Sequence, residues 1–169
     1  MRRALDTLYD AAGYLAAFFL AGTLAMVLLG IAGRLLSFHV PGTDSYAGYC
    51  MAASGFLALA HTLKRGEHIR VSLVLEHVGA DARRTLERIA LAVATMLAVL
   101  FAFYSARLAF QSWQFNDVST GNDATPLWIP QIAMAAGTAI LAIAFVDEFV
   151  LELQGRRSQP TPAEILHSE

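Results

Sequence analysis

Four long runs without a charged side chain dominate this sequence. They cover residues 11–33, 45–63, 89–106 and 126–146, and each holds 18 residues or more. A helix rises about 1.5 Å per residue, so each run is long enough to cross a hydrocarbon core roughly 30 Å thick. Inside that core no water satisfies backbone N–H and C=O groups, and a helix is the structure that satisfies them within one run. The fold class that follows is an all-α membrane protein with four transmembrane helices, at about residues 8–36, 45–64, 82–113 and 127–152. Residues 1–153 then form a single transmembrane domain, and 154–169, with Pro160 and Pro162, form a flexible tail. Charged residues make up 15% of the chain, well below the roughly 25% of a soluble domain.

The positions of the charges orient the chain. Ten of the twelve Lys and Arg residues fall in three places: Arg2 and Arg3; Lys64, Arg65, Arg70, Arg83, Arg84 and Arg88; and Arg156 and Arg157. The other two are Arg34 and Arg107, and the connection 111–125 carries only the acids Asp117 and Asp123. Lys and Arg are retained on the cytoplasmic side of a membrane. Both termini and the middle connection are therefore expected in the cytoplasm, and an even number of crossings agrees with that parity. A cleaved signal peptide at residues 1–33 is the rival reading. Its h-region would need 7–15 residues, whereas the apolar stretch here is much longer and follows Asp6 and Asp10.

Between the second and third runs, residues 67–80 are too polar to cross. Val71, Val74, Leu75 and Val78 recur at helical spacing among Arg70, Ser72, Glu76 and His77, which predicts a short amphipathic segment lying in the membrane surface. Arg83, Arg84 and Arg88 are expected to meet anionic lipid headgroups. Trp113 and Trp128 fall at the outer ends of the third and fourth helices, where indole rings favour the interface. Arg34 with Asp44, and Arg88 with Asp147, are candidate ion pairs, and Arg107 either snorkels to the interface or meets Asp117 or Asp123.

The spans carry little that binds a hydrophilic cargo. A transporter working alone needs an ionisable residue facing a cavity, or a broken helix whose ends hold ions. The first run has no carboxylate, which argues against a small proton-coupled exporter, and the middle of the fourth offers Thr138. His61 is the one histidine within a run; a b-type haem would need a second axial ligand, and His39 belongs to the opposite side. A single Cys50 excludes an intrachain disulfide and a Cys-based metal site. The expectation is a protein that is not an enzyme, holds no cofactor, has no nucleic-acid partner and assists another membrane protein. Small residues on the second helix (Gly48, Ala52, Gly55), the fourth (Ala133, Gly137, Ala144) and the first (Gly30, Gly33) suit close helix packing, without saying against what.

The stretch Asp44–Leu86, and above all Lys64-Arg65-Gly66-Glu67-His68-Ile69-Arg70-Val71, resembles the DctQ-type small membrane subunit of tripartite ATP-independent periplasmic (TRAP) transporters. Members typically close their second helix with a basic, Gly-containing turn followed by His-Ile-Arg-Val. Thr125-Pro126-Leu127-Trp128-Ile129-Pro130 is similar to the family's approach to its fourth helix. The chain departs from the pattern at Ser72, where an acid is frequent, and has Asp44 as the nearest acid to the start of its second helix. The resemblance implies a bacterial inner-membrane complex that imports organic acid anions, commonly carboxylates, with sodium. Its partners would be a large membrane subunit that carries the substrate and sodium sites, a periplasmic substrate-binding protein and the surrounding membrane lipids. The small subunit would not translocate anything itself. The alternatives are a stand-alone transporter, the membrane anchor of a redox enzyme, and an assembly subunit of another complex.

Overall fold

The structure, a computed structural model, describes residues 2–38, 40–65 and 80–154, and the side chains of all of these except 2–3 and 80–84. The expected surface segment after Lys64-Arg65, the tail beyond Gln154, and the side chains of Arg2, Arg3, Arg83 and Arg84 lie outside the described residues. Four helices account for nearly everything described: α1 (Arg2–Leu35), α2 (Thr43–Lys64), α3 (Ala80–Gln114) and α4 (Trp128–Leu153). Among the described residues there is no strand, only an isolated bridge between Val118 and Pro126.

Among the described residues three helices are long and apolar enough to cross a membrane, over Ala4–Leu35, Thr85–Gln114 and Trp128–Leu153. The second run, expected to cross like the others, falls short on this measure. With 22 residues α2 has the length, about 33 Å; its composition, with Tyr46, Tyr49, Ser54, His61 and Thr62, is what sets it apart. The packing supplies the reason. The helices stand in a row: α1 against α2, α2 against α4, α4 against α3, with only a slight contact of α1 on α4. Neighbours cover α2 on two sides, so it need not be apolar all round. The outer helices show the converse. Only 6% of the most apolar window of α1 is buried, against 28% for α4, and Phe18, Leu20 and Leu24 of α1 and Met96, Leu97, Phe103 and Phe110 of α3 point outward.

Small side chains let the backbones approach. On α2 the buried residues are Thr43, Ala47, Ala53, Leu57 and Ala60; on α4 they are Gly137, Thr138, Leu141, Ala142 and Ala144. Tyr9, Ala60 and Ala144 form a buried cluster where α1, α2 and α4 meet, with Leu5, Leu63 and Ile140 packed against it. The stripe Gly48, Ala52, Gly55 of α2 belongs to none of these seams: all three are exposed, and a Cβ on either glycine would meet nothing within 4 Å.

Two helices stop in the same way. After α1, Ser37 takes a left-handed φ of 57° and the Phe38 N–H bonds back to the Gly33 carbonyl at 3.0 Å. After α3, Asn116 takes φ 52° and the Asp117 N–H bonds to the Ser112 carbonyl at 3.0 Å. Both are Schellman ends built without glycine. Pro130 sits in the first turn of α4, where a missing N–H removes no helical bond.

Candidate functional site

Every seam in the row of helices carries a side-chain contact to a carboxylate, and all of these lie at the same end, where α1 and α3 begin and α2 and α4 finish. Between α1 and α2, His61 Nδ1 is 3.6 Å from Asp10 Oδ1. Between α2 and α4, Lys64 donates to Asp147, and to Glu148 Oε1 at 3.1 Å. Between α4 and α3, Arg88 Nε is 3.7 Å from Glu152 Oε1.

Lys64 is the centre of this clamp. It ends α2, it reaches two carboxylates on α4, and its ammonium stands 5.3 Å from the centroid of the Tyr9 ring on α1. Lys64 and its two partners are each about four-fifths buried. The α4 sequence makes such a partner necessary. Its last turn has no basic residue and carries Glu152, with Asp147 and Glu148 in the turn before it, and carboxylates near a helix C-terminus are disfavoured by its partial negative charge. Cations from the neighbouring helices offset this. The expected pairing of Arg88 with Asp147 is therefore replaced: Lys64 occupies Asp147, and Arg88 lies one turn further along, on Glu152.

His61 is committed to packing. A Cβ at Gly13 would lie 2.9 Å from His61 Nδ1, so the imidazole fills the notch that glycine leaves in α1. Threonine hydroxyls along the helices are likewise turned inward on the backbone. Thr23 donates to the Phe19 carbonyl, Thr62 to Ala58, and Thr138 to Met134. Thr95 donates to Leu91 at 2.7 Å and leans towards the Phe145 carbonyl of α4 at 3.4 Å. Among the described residues no group of three or more His, Cys, Asp or Glu side chains is placed to hold a metal ion.

The opposite end is closed by a clasp. The loop between α3 and α4 folds on itself through the Ser119 N–H to the Thr125 carbonyl, 2.8 Å, and the Leu127 N–H to the Asp117 carbonyl, 2.9 Å. At its tip Asp123 accepts from Tyr49 of α2 at 3.0 Å and from Ser119 at 2.9 Å. Hydrogen bonding from Thr125 first, then from Ser119 and Tyr49, holds the Asp123 carboxyl well below the usual carboxylate range. Gly42, at φ 80°, brings the α1–α2 turn against this loop, since a Cβ there would lie 2.7 Å from Asp123 Cβ.

The other residues singled out in the sequence fall as follows. Arg65 closes α2, its N–H bonding to the His61 carbonyl at 3.1 Å; Gly66, Glu67, His68, Ile69, Arg70 and Val71 lie outside the described residues. Trp113 is exposed in the last turn of α3, its ring 5.8 Å from that of Phe110, and Trp128 is half-buried at the start of α4. Arg34 and Asp44 line one pocket but form no ion pair with each other among the described residues. Arg107 is exposed and, among the described residues, is paired with neither Asp117 nor Asp123.

Residues 23–155 match the family described as tripartite ATP-independent periplasmic transporters, DctQ component. The chain belongs to the DctQ family. It is accordingly a small subunit of a TRAP transporter, a transport component and not an enzyme. Among curated proteins, none matches it with significant similarity. In this DctQ chain the basic turn that resembles the family begins at Lys64, the same residue that joins α2 to α4. The sequence shows Lys64 as one of a basic cluster and Asp147-Glu148 as the end of an apolar run; their meeting depends on which helices are neighbours. The Tyr49–Asp123 bond is harder still to foresee, because it links residues 74 apart through a loop.

Proposed function

We propose that this chain is the non-translocating small membrane subunit of a TRAP-type secondary transporter that imports organic acid anions of the carboxylate class with sodium, and that it stabilises the large permease subunit. The observation that carries this reading is the disposition of polar groups described above. The hydroxyls of Thr23 and Thr138 within the spans bond to their own helix backbones, and contacts to carboxylates join helix to helix at one end. Such a slab suits bracing better than gripping cargo. A clamp at one end, a clasp at the other and close backbone contact between them give a stiff body against which a moving partner can work.

In this reading the chain sits in the bacterial inner membrane with four crossings, α2 included, and with both termini on the cytoplasmic side. The ten-to-two division of basic residues supports the orientation, and the cover that α1 and α4 give α2 supports the fourth crossing. Trp113 and Trp128 anchor the outer surface. Gln114, Asn116 and Asp117, exposed at the clasp end, face the periplasmic binding protein.

The test is co-purification of the tagged chain with the large subunit, followed by reconstituted sodium-driven uptake with and without it. The reading requires a stable complex and uptake that falls when the chain is omitted. Uptake unchanged by omission, or solute movement by this chain alone, overturns it.

A further inference from the structure

At the clasp end, a pocket of about 410 Å³ opens between the end of α1, the α1–α2 turn and the start of α2, with Asn122 of the α3–α4 loop also lining it, a volume in the range of small-ligand sites. Arg34 and Asp44 both line it. Opposite charges sharing one pocket ordinarily pair, yet among the described residues these two do not. Ser37, Ser45 and Asn122 add neutral polar groups to the wall. Gly42 at the start of α2 supplies no side-chain cap, so the first-turn amides there keep their donors. Leu29 and Phe38 supply an apolar side, and beside it the exposed Leu28, Leu35 and Leu36 continue the apolar surface of α1.

From this we propose that the pocket binds the headgroup of a zwitterionic, amine-bearing phospholipid, phosphatidylethanolamine in kind. Its phosphate lies on Arg34, whose planar guanidinium matches two phosphate oxygens. Its ammonium lies on Asp44, and its acyl chains run down the exposed leucines of α1. A soluble zwitterion satisfies the two charges but leaves the apolar rim uncovered, and an anionic glycerol headgroup offers Asp44 neutral hydroxyls in place of an ammonium. The site does not depend on which protein the chain assists.

The test is native mass spectrometry of the full chain released from nanodiscs holding equal amounts of phosphatidylethanolamine and phosphatidylglycerol. The wild type is expected to retain the ethanolamine lipid over the glycerol lipid by roughly tenfold, as one charge-assisted hydrogen bond predicts. Asp44→Asn is expected to abolish that preference while still retaining lipid, Arg34→Gln to lose both lipids, and Arg34→Lys to recover part of the binding. Because the preference is a ratio within one sample, a partly unfolded variant does not imitate its loss. No preference in the wild type, or a preference unchanged by Asp44→Asn, overturns the proposal. Displacement of the lipid by soluble glycerophosphoethanolamine at matched concentration also overturns it and assigns the site to a soluble zwitterion.

Discussion

Gly137 of α4 lies so close to Phe56 of α2 that a Cβ placed on it would stand 2.5 Å from the Phe56 carbonyl oxygen and 2.6 Å from the carbonyl carbon. The atoms in the way are backbone, which cannot swing aside as a side chain does. Among the described glycines none would bring a Cβ nearer to another atom, and this one lies in the seam that joins the two helical hairpins, α1–α2 and α3–α4.

Gly137→Ala should therefore push α2 and α4 apart. Overpacking of this kind costs about 1–3 kcal/mol, enough to outweigh the ~0.5–1 kcal/mol that alanine gains over glycine in a helix. Gly48→Ala and Gly55→Ala, where a Cβ meets nothing within 4 Å, should be neutral or mildly stabilising. Thermal unfolding of the three variants in one detergent checks the contrast, and equal melting temperatures would refute it.

Lys64→Met would take from Asp147 and Glu148 the cation they share. Breaking a buried pair by removing one partner costs about 3–5 kcal/mol; with the groups here about one-fifth exposed, roughly 2–4 kcal/mol is expected. Lys64→Arg should retain most of the stability, and Lys64→Met with Asp147→Asn should recover part of it by neutralising the carboxylate closest to the lost ammonium. Thermal melts of the set, with recovery of the large subunit in pull-downs, measure both the clamp and its consequence for assembly.

Arg88→Ala should do far less. Its side chain is 55% exposed and the contact to Glu152 is 3.7 Å, which places it among pairs worth no more than about 1 kcal/mol. An exchange of the two charges, Arg88→Glu with Glu152→Arg, should restore whatever the single changes lose; failure of the exchange would mean that the α3–α4 seam does not rely on this pair.

Asp123 makes the clasp sensitive to acid. Its carboxyl is held below the ordinary value of 3.8 by hydrogen bonds from Thr125, Ser119 and Tyr49. A depressed folded-state value contributes stability that is fully present above the unfolded value and is lost as pH falls through the lower, folded one. Wild-type stability should thus be flat with respect to this group from neutral pH to about pH 4 and decline below it. Asp123→Asn should remove that part of the acid decline, and Tyr49→Phe should shrink it. A melting temperature followed against pH in the three proteins tests the sign; an identical decline in all three would show that other carboxylates govern it.

Much of the helical content was legible because lipid is an unforgiving solvent. A long run without charge predicts a helix almost regardless of what surrounds it, and four such runs became four helices. The second run shows where that logic thins. Residues 45–63 read as a crossing like the rest, yet Tyr46, Tyr49, Ser54, His61 and Thr62 keep α2 below the level of apolarity that marks the other three. Its place between α1 and α4 explains why the chain tolerates them. The small-residue stripes carry the same lesson. Gly137 and the trio Gly48, Ala52, Gly55 look alike as text, but one sits in a seam and the other faces outward. Nor do Ser37 and Asn116 announce that they, rather than a glycine, end their helices in the left-handed region.

What the linear order of residues determined by itself is the class of object: an apolar, helical, membrane-suited chain with a family-like basic turn at Lys64, because period, length and charge placement are local properties. Which helices stand side by side is not local. Only the tertiary structure set α2 against α4, and with that choice it gave Asp147 to Lys64, left Arg88 to Glu152, and brought Tyr49 to a loop 74 residues away. Contacts between distant segments depend on how whole helix surfaces fit together, and that fit is a property of the folded backbone rather than of any window of sequence.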